Sequence, residues 1–255
     1  MVQYDFSFVG QVLPQLLGYV PLTLAVCGVT ALLGSLLGGF LAYGEMAGGP
    51  ALARLARGYI FVIRCTPPIV LLFLVFYGLP QLLRWWLGIA TDGWSRGTFT
   101  VIALTLLFAA PVAEVFKTAY RAVPPGQKEA ALTVGLTPLQ AFCRILLPQA
   151  FRIGAPNFAN SLLNLLKDAA LAYTIGLLDL MGGANLLISR NLGNHSLETY
   201  TATALIYWGL ALVLAIVLQL YEKSWPSGSS NNRKLLAKSA PFKAINKNQE
   251  KQVKT

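Results

Sequence analysis

Five stretches of this chain are long and apolar enough to cross a bilayer, and no other feature restricts its fold as much. They are Tyr19 to Tyr43, Gly58 to about Leu83, Thr98 to Tyr120, about Gln149 to Leu178, and Thr201 to Tyr221. A hydrocarbon core takes ~20 apolar residues as α-helix. Inside it a backbone N–H meets no water, so each crossing must satisfy its own hydrogen bonds, as a helix does. Composition agrees: 12% of the residues are charged, against ~25% in a typical soluble domain. The expectation is an all-α membrane protein with five transmembrane helices. In the first of them Gly28, Gly34, Gly38 and Gly39 predict close helix packing. The second is expected to break near Pro67-Pro68, where two N–H groups are missing.

The segments between the spans set the orientation. Met1 to Gly18 reads as interfacial, Gly44 to Arg57 as a short loop, and Arg84 to Gly97, with Trp85, Trp86 and Trp94, as an interfacial loop. Asp179 to Thr199 reads as a polar loop. The transmembrane domain is expected over 19–222, and the tail 223–255, rich in Ser, Asn and Lys, as disordered. With the amino terminus outside, the inner segments hold seven basic residues: Arg54, Arg57, Lys117, Arg121, Lys128, Arg144 and Arg152. The tail adds eight, and the outer segments hold three, Arg84, Arg96 and Arg190. That bias places the carboxyl terminus and the 121–148 segment in the cytosol. The net charge of +10 therefore belongs to loops and a tail, not to a nucleic-acid surface. The tail suits solvation and anionic lipid equally. Cys27, Cys65 and Cys143 form no metal spacing or evident pair. The first 15 residues contain Asp5 and no Lys or Arg, so no cleavable signal peptide is expected.

Catalytic patterns are missing from the sequence. There is no G-x-x-x-x-G-K-[ST], no H-E-x-x-H and no G-x-S-x-G. The single histidine, His195, falls in an outer loop. The chain is not expected to be an enzyme or to hold a cofactor of its own.

Two constellations carry function instead. Gln127 to Pro148 is a charged, amphipathic stretch between spans. Gln127 to Val134 makes two helical turns with Ala130, Ala131 and Val134 on one face. Gly135 stands just past a helix end. Thr137-Pro138-Leu139-Gln140 reads as a capping box. This is a helix–turn–helix body outside the membrane, either lying on lipid or presenting small residues to another protein. The second constellation is a polar stripe on the fourth span: Asn157, Asn160, Ser161, Asn164, Lys167 and Asp168 recur at spacings of three and four. Lys167 and Asp168 point about 100° apart, so neither satisfies the other. A charge at such depth costs ~2.5–3.5 kcal/mol, which calls for partners on other helices or a water-filled route. Arg64 on the second span can snorkel to the inner surface or serve the same route. Glu114 and Lys117, three apart, can pair.

Glu129-Ala130-Ala131 with Gly135, Ile145, Leu147 and Pro148 resembles the EAA motif of bacterial ABC importer permeases, and the likeness runs roughly from Tyr19 to Tyr221. It is similar in particular to the polar amino acid uptake branch. Arg64 to Pro67 and Tyr77 to Pro80 match its Arg-Gly-Thr-Pro and Tyr-Gly-Leu-Pro runs. Ala113 to Lys117, Val123 to Ala131, and Lys167 to Leu171 match three more. Cys65, Pro111, Lys117 and Ala169-Ala170 depart from the family pattern. The resemblance implies a type I importer permease with a coupling loop at 121–148, in which Gln127, Glu129, Ala130, Ala131 and Gly135 meet a cytosolic ATPase. It implies ATP and magnesium in that ATPase, a second permease subunit (identical or homologous), an extracytoplasmic amino acid-binding protein, and an inner-membrane location. The cargo would be a polar amino acid, with a lean toward L-cystine, passing Arg64, Asn157, Asn160, Ser161, Asn164, Lys167 and Asp168. The rival is a secondary transporter using Asp168 and Glu114 for ion coupling; five spans without a detectable repeat weigh against it.

Overall fold

The computed structural model describes residues 4–223, so the basic tail from 224 onward lies outside the described residues. Contacts divide the chain into Met1–Leu218 and Gln219–Thr255; of the second unit, only the end of the last helix is described. In chain order the helices are α1 (Phe6–Leu17), α2 (Val20–Met46), α3 (Pro50–Cys65), α4 (Pro68–Phe73), α5 (Leu79–Leu87), α6 (Arg96–Arg121), α7 (Gly126–Thr133), α8 (Pro138–Ala141), α9 (Leu147–Ala169), α10 (Leu180–Arg190) and α11 (Ser196–Lys223). Among the described residues there is no strand. Four stretches are long and apolar enough to cross a membrane: α2, Pro68–Leu87, α6 and Ser196–Leu220. A fifth results if Pro138–Ile175 and α10, which meet at a 44° bend, form one span.

Two of the expected connections, and the span that follows the first of them, are different in the structure. The loop expected over Gly44 to Arg57 is mostly helix, because Pro50 opens α3 at a position where its missing N–H costs nothing. The second span consequently shifts to Pro68–Leu87, and Arg64 belongs to a separate amphipathic helix before it. Thr66, at φ −90° and ψ 125°, takes the extended form that a following proline requires. The polar loop expected over Asp179 to Thr199 contains α10. Asp179 is 2% exposed and accepts the Gly182 N–H at 2.9 Å as N-cap. Leu180, Ala184 and Leu187 bury one face of α10 against Val12 and Leu16 of α1 and Ala202 and Ile206 of α11. Asn185, Ser189 and Arg190 on the other turns of this helix made the segment read as a loop.

Two π-turns share one cause. Leu74–Gly78 precedes Pro80 and Phe142–Leu146 precedes Pro148, each proline standing two residues past the wide turn. A proline ring clashes with the carbonyl four residues earlier, here Phe76 and Arg144, both inside the π-turns. Widening the turn relieves the clash while keeping the helix continuous. The 142–146 turn thereby fuses α8 to α9 rather than ending a loop.

α2 packs most extensively on α6, and α6 on α9. The first contact relies on missing side chains. A Cβ at Gly34 would lie 2.8 Å from Phe108 Cδ1, and one at Gly38 2.9 Å from the Ala109 carbonyl and 3.0 Å from Val112 Cγ1. A Cβ at Gly28 would meet nothing within 4 Å, so only part of the glycine series serves this packing. Gly38→Leu should lower the melting temperature of the detergent-solubilised protein markedly, since overpacking costs ~1–3 kcal/mol. Gly28→Leu should melt close to the parent, and equal melting of the two variants would refute this account.

Candidate functional site

α3, α6 and α9 line a half-open cavity of about 480 Å³. α3 contributes Ile63 and Arg64, and Thr66 and Pro68 follow at the break. α6 contributes Leu107, Phe108 and Pro111. α9 contributes Ser161, Asn164, Leu165, Lys167 and Asp168. The α3–α4 break thus does a specific job: ending the helix at Cys65 leaves Arg64 at its last turn, facing the polar stripe of α9. Two cations, one carboxylate and one amide converge on walls of Phe108, Leu107 and Ile63.

Each wall is braced separately. Ser161 Oγ donates to the Asn157 carbonyl at 3.1 Å, and Thr66 Oγ1 to the Val62 carbonyl at 2.8 Å. Both hydroxyls are therefore tied to their own backbones. Pro111 interrupts the α6 hydrogen-bond ladder beside the cavity. One turn earlier the Tyr59 hydroxyl donates to the Leu106 carbonyl at 2.7 Å, bracing α3 on α6. Among the described residues neither Lys167 nor Asp168 makes an ion pair, as their divergent directions predicted. Of the expected stripe, Ser161, Asn164, Lys167 and Asp168 meet Arg64; Asn157 and Asn160 are exposed and do not line the cavity.

The expected helix–turn–helix is present. Thr137 accepts the Gln140 N–H, and the Gln140 side chain accepts the Thr137 N–H at 3.0 Å, closing both arms of the capping box. Gly135 has φ +86°, a left-handed conformation that side chains resist. Its N–H reaches the Leu132 carbonyl, and Leu136 N–H the Ala131 carbonyl, ending α7. The faces of α7 divide as its sequence does not reveal. Ala131 is 5% exposed and turned into the protein, whereas Gln127, Glu129 and Ala130 are exposed. The Gln127 side chain contacts Gln149 at 3.3 Å. Val134 and Leu139, 76% and 72% exposed, stand beside the turn.

One cluster was only half legible. Lys117 Nζ lies 2.7 Å from Glu114 Oε1, the expected pair, and also 3.0 Å from both oxygens of Glu45 on α2. Glu45 had no spacing relation to betray it. His195, expected in a surface loop, stacks on Phe8 with ring centroids 4.2 Å apart.

Over residues 31–225 the chain matches the family described as binding-protein-dependent transport system inner membrane component. The L-cystine transport system permease protein TcyL of Bacillus subtilis (strain 168) is 38% identical over 220 residues, covering 86% of this chain and 91% of that protein. The probable amino-acid permease protein YxeN of the same organism is 36% identical over 221 residues, with 86% and 95% covered. Among solved structures, a chain of an amino acid ABC transporter crystallised with histidines superposes with a TM-score of 0.75 at 30% identity, covering 88% of this chain and all of that one. The inward-facing MetNI methionine ABC transporter gives 0.66 at 21% identity over 84% of this chain, a likeness of fold alone.

If the cavity holds water, its lining should label from solution. In a background without Cys27, Cys65 and Cys143, Asn164→Cys and Thr66→Cys should react with a membrane-impermeant thiosulfonate about tenfold faster than Leu166→Cys, since a thiolate needs access to react. Leu166 is 5% exposed and lies off the cavity. Equal rates would mean that the lining is closed to water.

Proposed function

Because the chain belongs to the family of binding-protein-dependent transport system inner membrane components, we propose that it forms the translocation pathway for a polar amino acid in an ATP-driven importer. The observation that carries this reading is the convergence of Arg64, Lys167, Asp168 and Asn164 on one cavity between helices. A zwitterion needs both signs. Arg64 or Lys167 suits its carboxylate and Asp168 its ammonium, while Asn164 and apolar walls receive the side chain. The named cargo of the TcyL relative makes L-cystine the first amino acid to test.

Energy enters from outside the chain. Separate cytosolic ATPase subunits hold ATP and magnesium, and α7 docks on them through Gln127, Glu129 and Ala130, with Gly135 setting the turn. Ala131 supports this helix from inside. The fusion of α8 to α9 gives a direct mechanical route from the docking body to the helix bearing Lys167 and Asp168. A second permease subunit completes the pathway, and an extracytoplasmic binding protein delivers the amino acid. Five crossings, with the amino terminus outside a bacterial inner membrane and the tail in the cytosol, agree with the distribution of basic residues.

The test is uptake by proteoliposomes containing the purified complex, with binding protein and radiolabelled L-cystine or arginine outside and ATP inside. Uptake should require ATP. Gly135→Val should abolish ATPase co-purification and reduce uptake about tenfold or more, because a β-branched residue resists φ +86°. Arg64→Gln and Asp168→Asn should raise the KM or abolish uptake while the ATPase still co-purifies. ATP-independent uptake driven by an ion gradient would defeat the importer reading.

A further inference from the structure

Resting on the importer reading, we propose that Glu45, Lys117 and Glu114 form a positioning clasp that makes the ends of α2 and α6 move as one body during transport. The three side chains lie at a junction. Glu45 is the next-to-last residue of α2, just before the corner from which α3 carries Arg64 to the cavity. Lys117 is in the last turn and a half of α6, and α6 leads through a short turn into α7. The clasp therefore ties the helix that feeds the docking body to the corner that feeds the cavity. None of the three lines the cavity itself.

Its chemistry is asymmetric. One ammonium, on a residue 8% exposed, is shared by two carboxylates at 2.7 and 3.0 Å. Charge-assisted bonds of this length are directional as well as strong. The lysine's hydrogen bonds go to α2 and α6, and it does not line the cavity. Loss of the ammonium alone leaves two anions facing each other in a poorly hydrated place, which destabilises the fold whatever the clasp does in transport. Neutralising all three removes that repulsion. A clasp that only stabilises the fold is then dispensable, whereas a positioning clasp is not, because neutral side chains pack without fixing the two helix ends to each other.

The experiment uses the complete importer in proteoliposomes and reads substrate moved per ATP hydrolysed, together with KM. Lys117→Arg, whose planar fork reaches both carboxylates, should retain about half or more of parental uptake. The triple variant Glu45→Gln, Lys117→Met, Glu114→Gln should assemble and keep the parental KM. Its substrate moved per ATP should fall about fivefold or more, the lower range of coupling between sites. The exchange Glu45→Lys with Lys117→Glu, made together with Glu114→Gln so that no two carboxylates stand side by side on α6, keeps one ion pair between the helix ends and should restore most of that coupling. Parental coupling in the triple variant overturns the proposal, as does an exchanged pair that assembles and stays uncoupled. A changed KM with intact coupling overturns it too, by making these residues part of the cargo route. Failure of the triple variant to assemble leaves the exchange variant to decide. Failure of the importer reading is separate: the parental complex would then show no ATP-dependent uptake.

Discussion

The close approach of α2 and α6 is the contact on which the other features depend. In a bilayer, apolar side chains gain little by leaving lipid for a neighbouring helix, so packing of shapes must hold the helices together. Gly34 and Gly38 permit that packing by letting Phe108, Ala109 and Val112 sit directly on the α2 backbone. Phe108 then serves twice, as a core residue against α2 and as a wall of the cavity. α9 joins on the other side, where Gly154 faces Ala119. α6, packed against both α2 and α9, forms the back of the cavity.

Proline supplies the second constraint, and its effect depends on place. At Pro67-Pro68 two adjacent prolines end α3 and leave Arg64 on its last turn. At Pro80 and Pro148 a wide turn absorbs the ring and the helix continues. At Pro111 the ladder is interrupted inside α6, with Tyr59 bracing the preceding turn. One residue type thus ends one helix, widens two and weakens a fourth.

The electrostatics divide between two regions. Around the cavity Arg64, Lys167 and Asp168 face open space and are not spent on each other. At the α2–α6 ends, Glu45, Lys117 and Glu114 are paired with each other. Both groups break the rule that charge is rare in apolar segments. Only the pairing in the structure distinguishes a group that holds helices from one left open to a cavity.

Much of this was legible in order of residues. Periodicity marked the polar stripe of α9, because a helix repeats every 3.6 residues regardless of its partners. Thr137, Gln140 and Gly135 announced the cap and the turn, because those interactions span only a few residues. Apolar length marked three of the candidate crossings, α2, α6 and α11, but misplaced the start of the second, since bilayer thickness is an external ruler of length and not of where a helix breaks. The sequence by itself therefore determined what is local or imposed by the membrane: an all-helical chain, its capped helix–turn–helix between spans, and the residue types available for a polar stripe. The tertiary structure decided what depends on separation in space. It brought Arg64 across to Asn164 and Lys167, left Asn157 and Asn160 outside, turned Ala131 inward, made α10 a buried helix, and placed Glu45 on Lys117. Those pairings join residues tens of positions apart, and nothing in a local pattern encodes which helix face meets which. That choice is made by how whole helix surfaces fit, the glycine surface of α2 on α6 among them, and it exists only once the helices have packed.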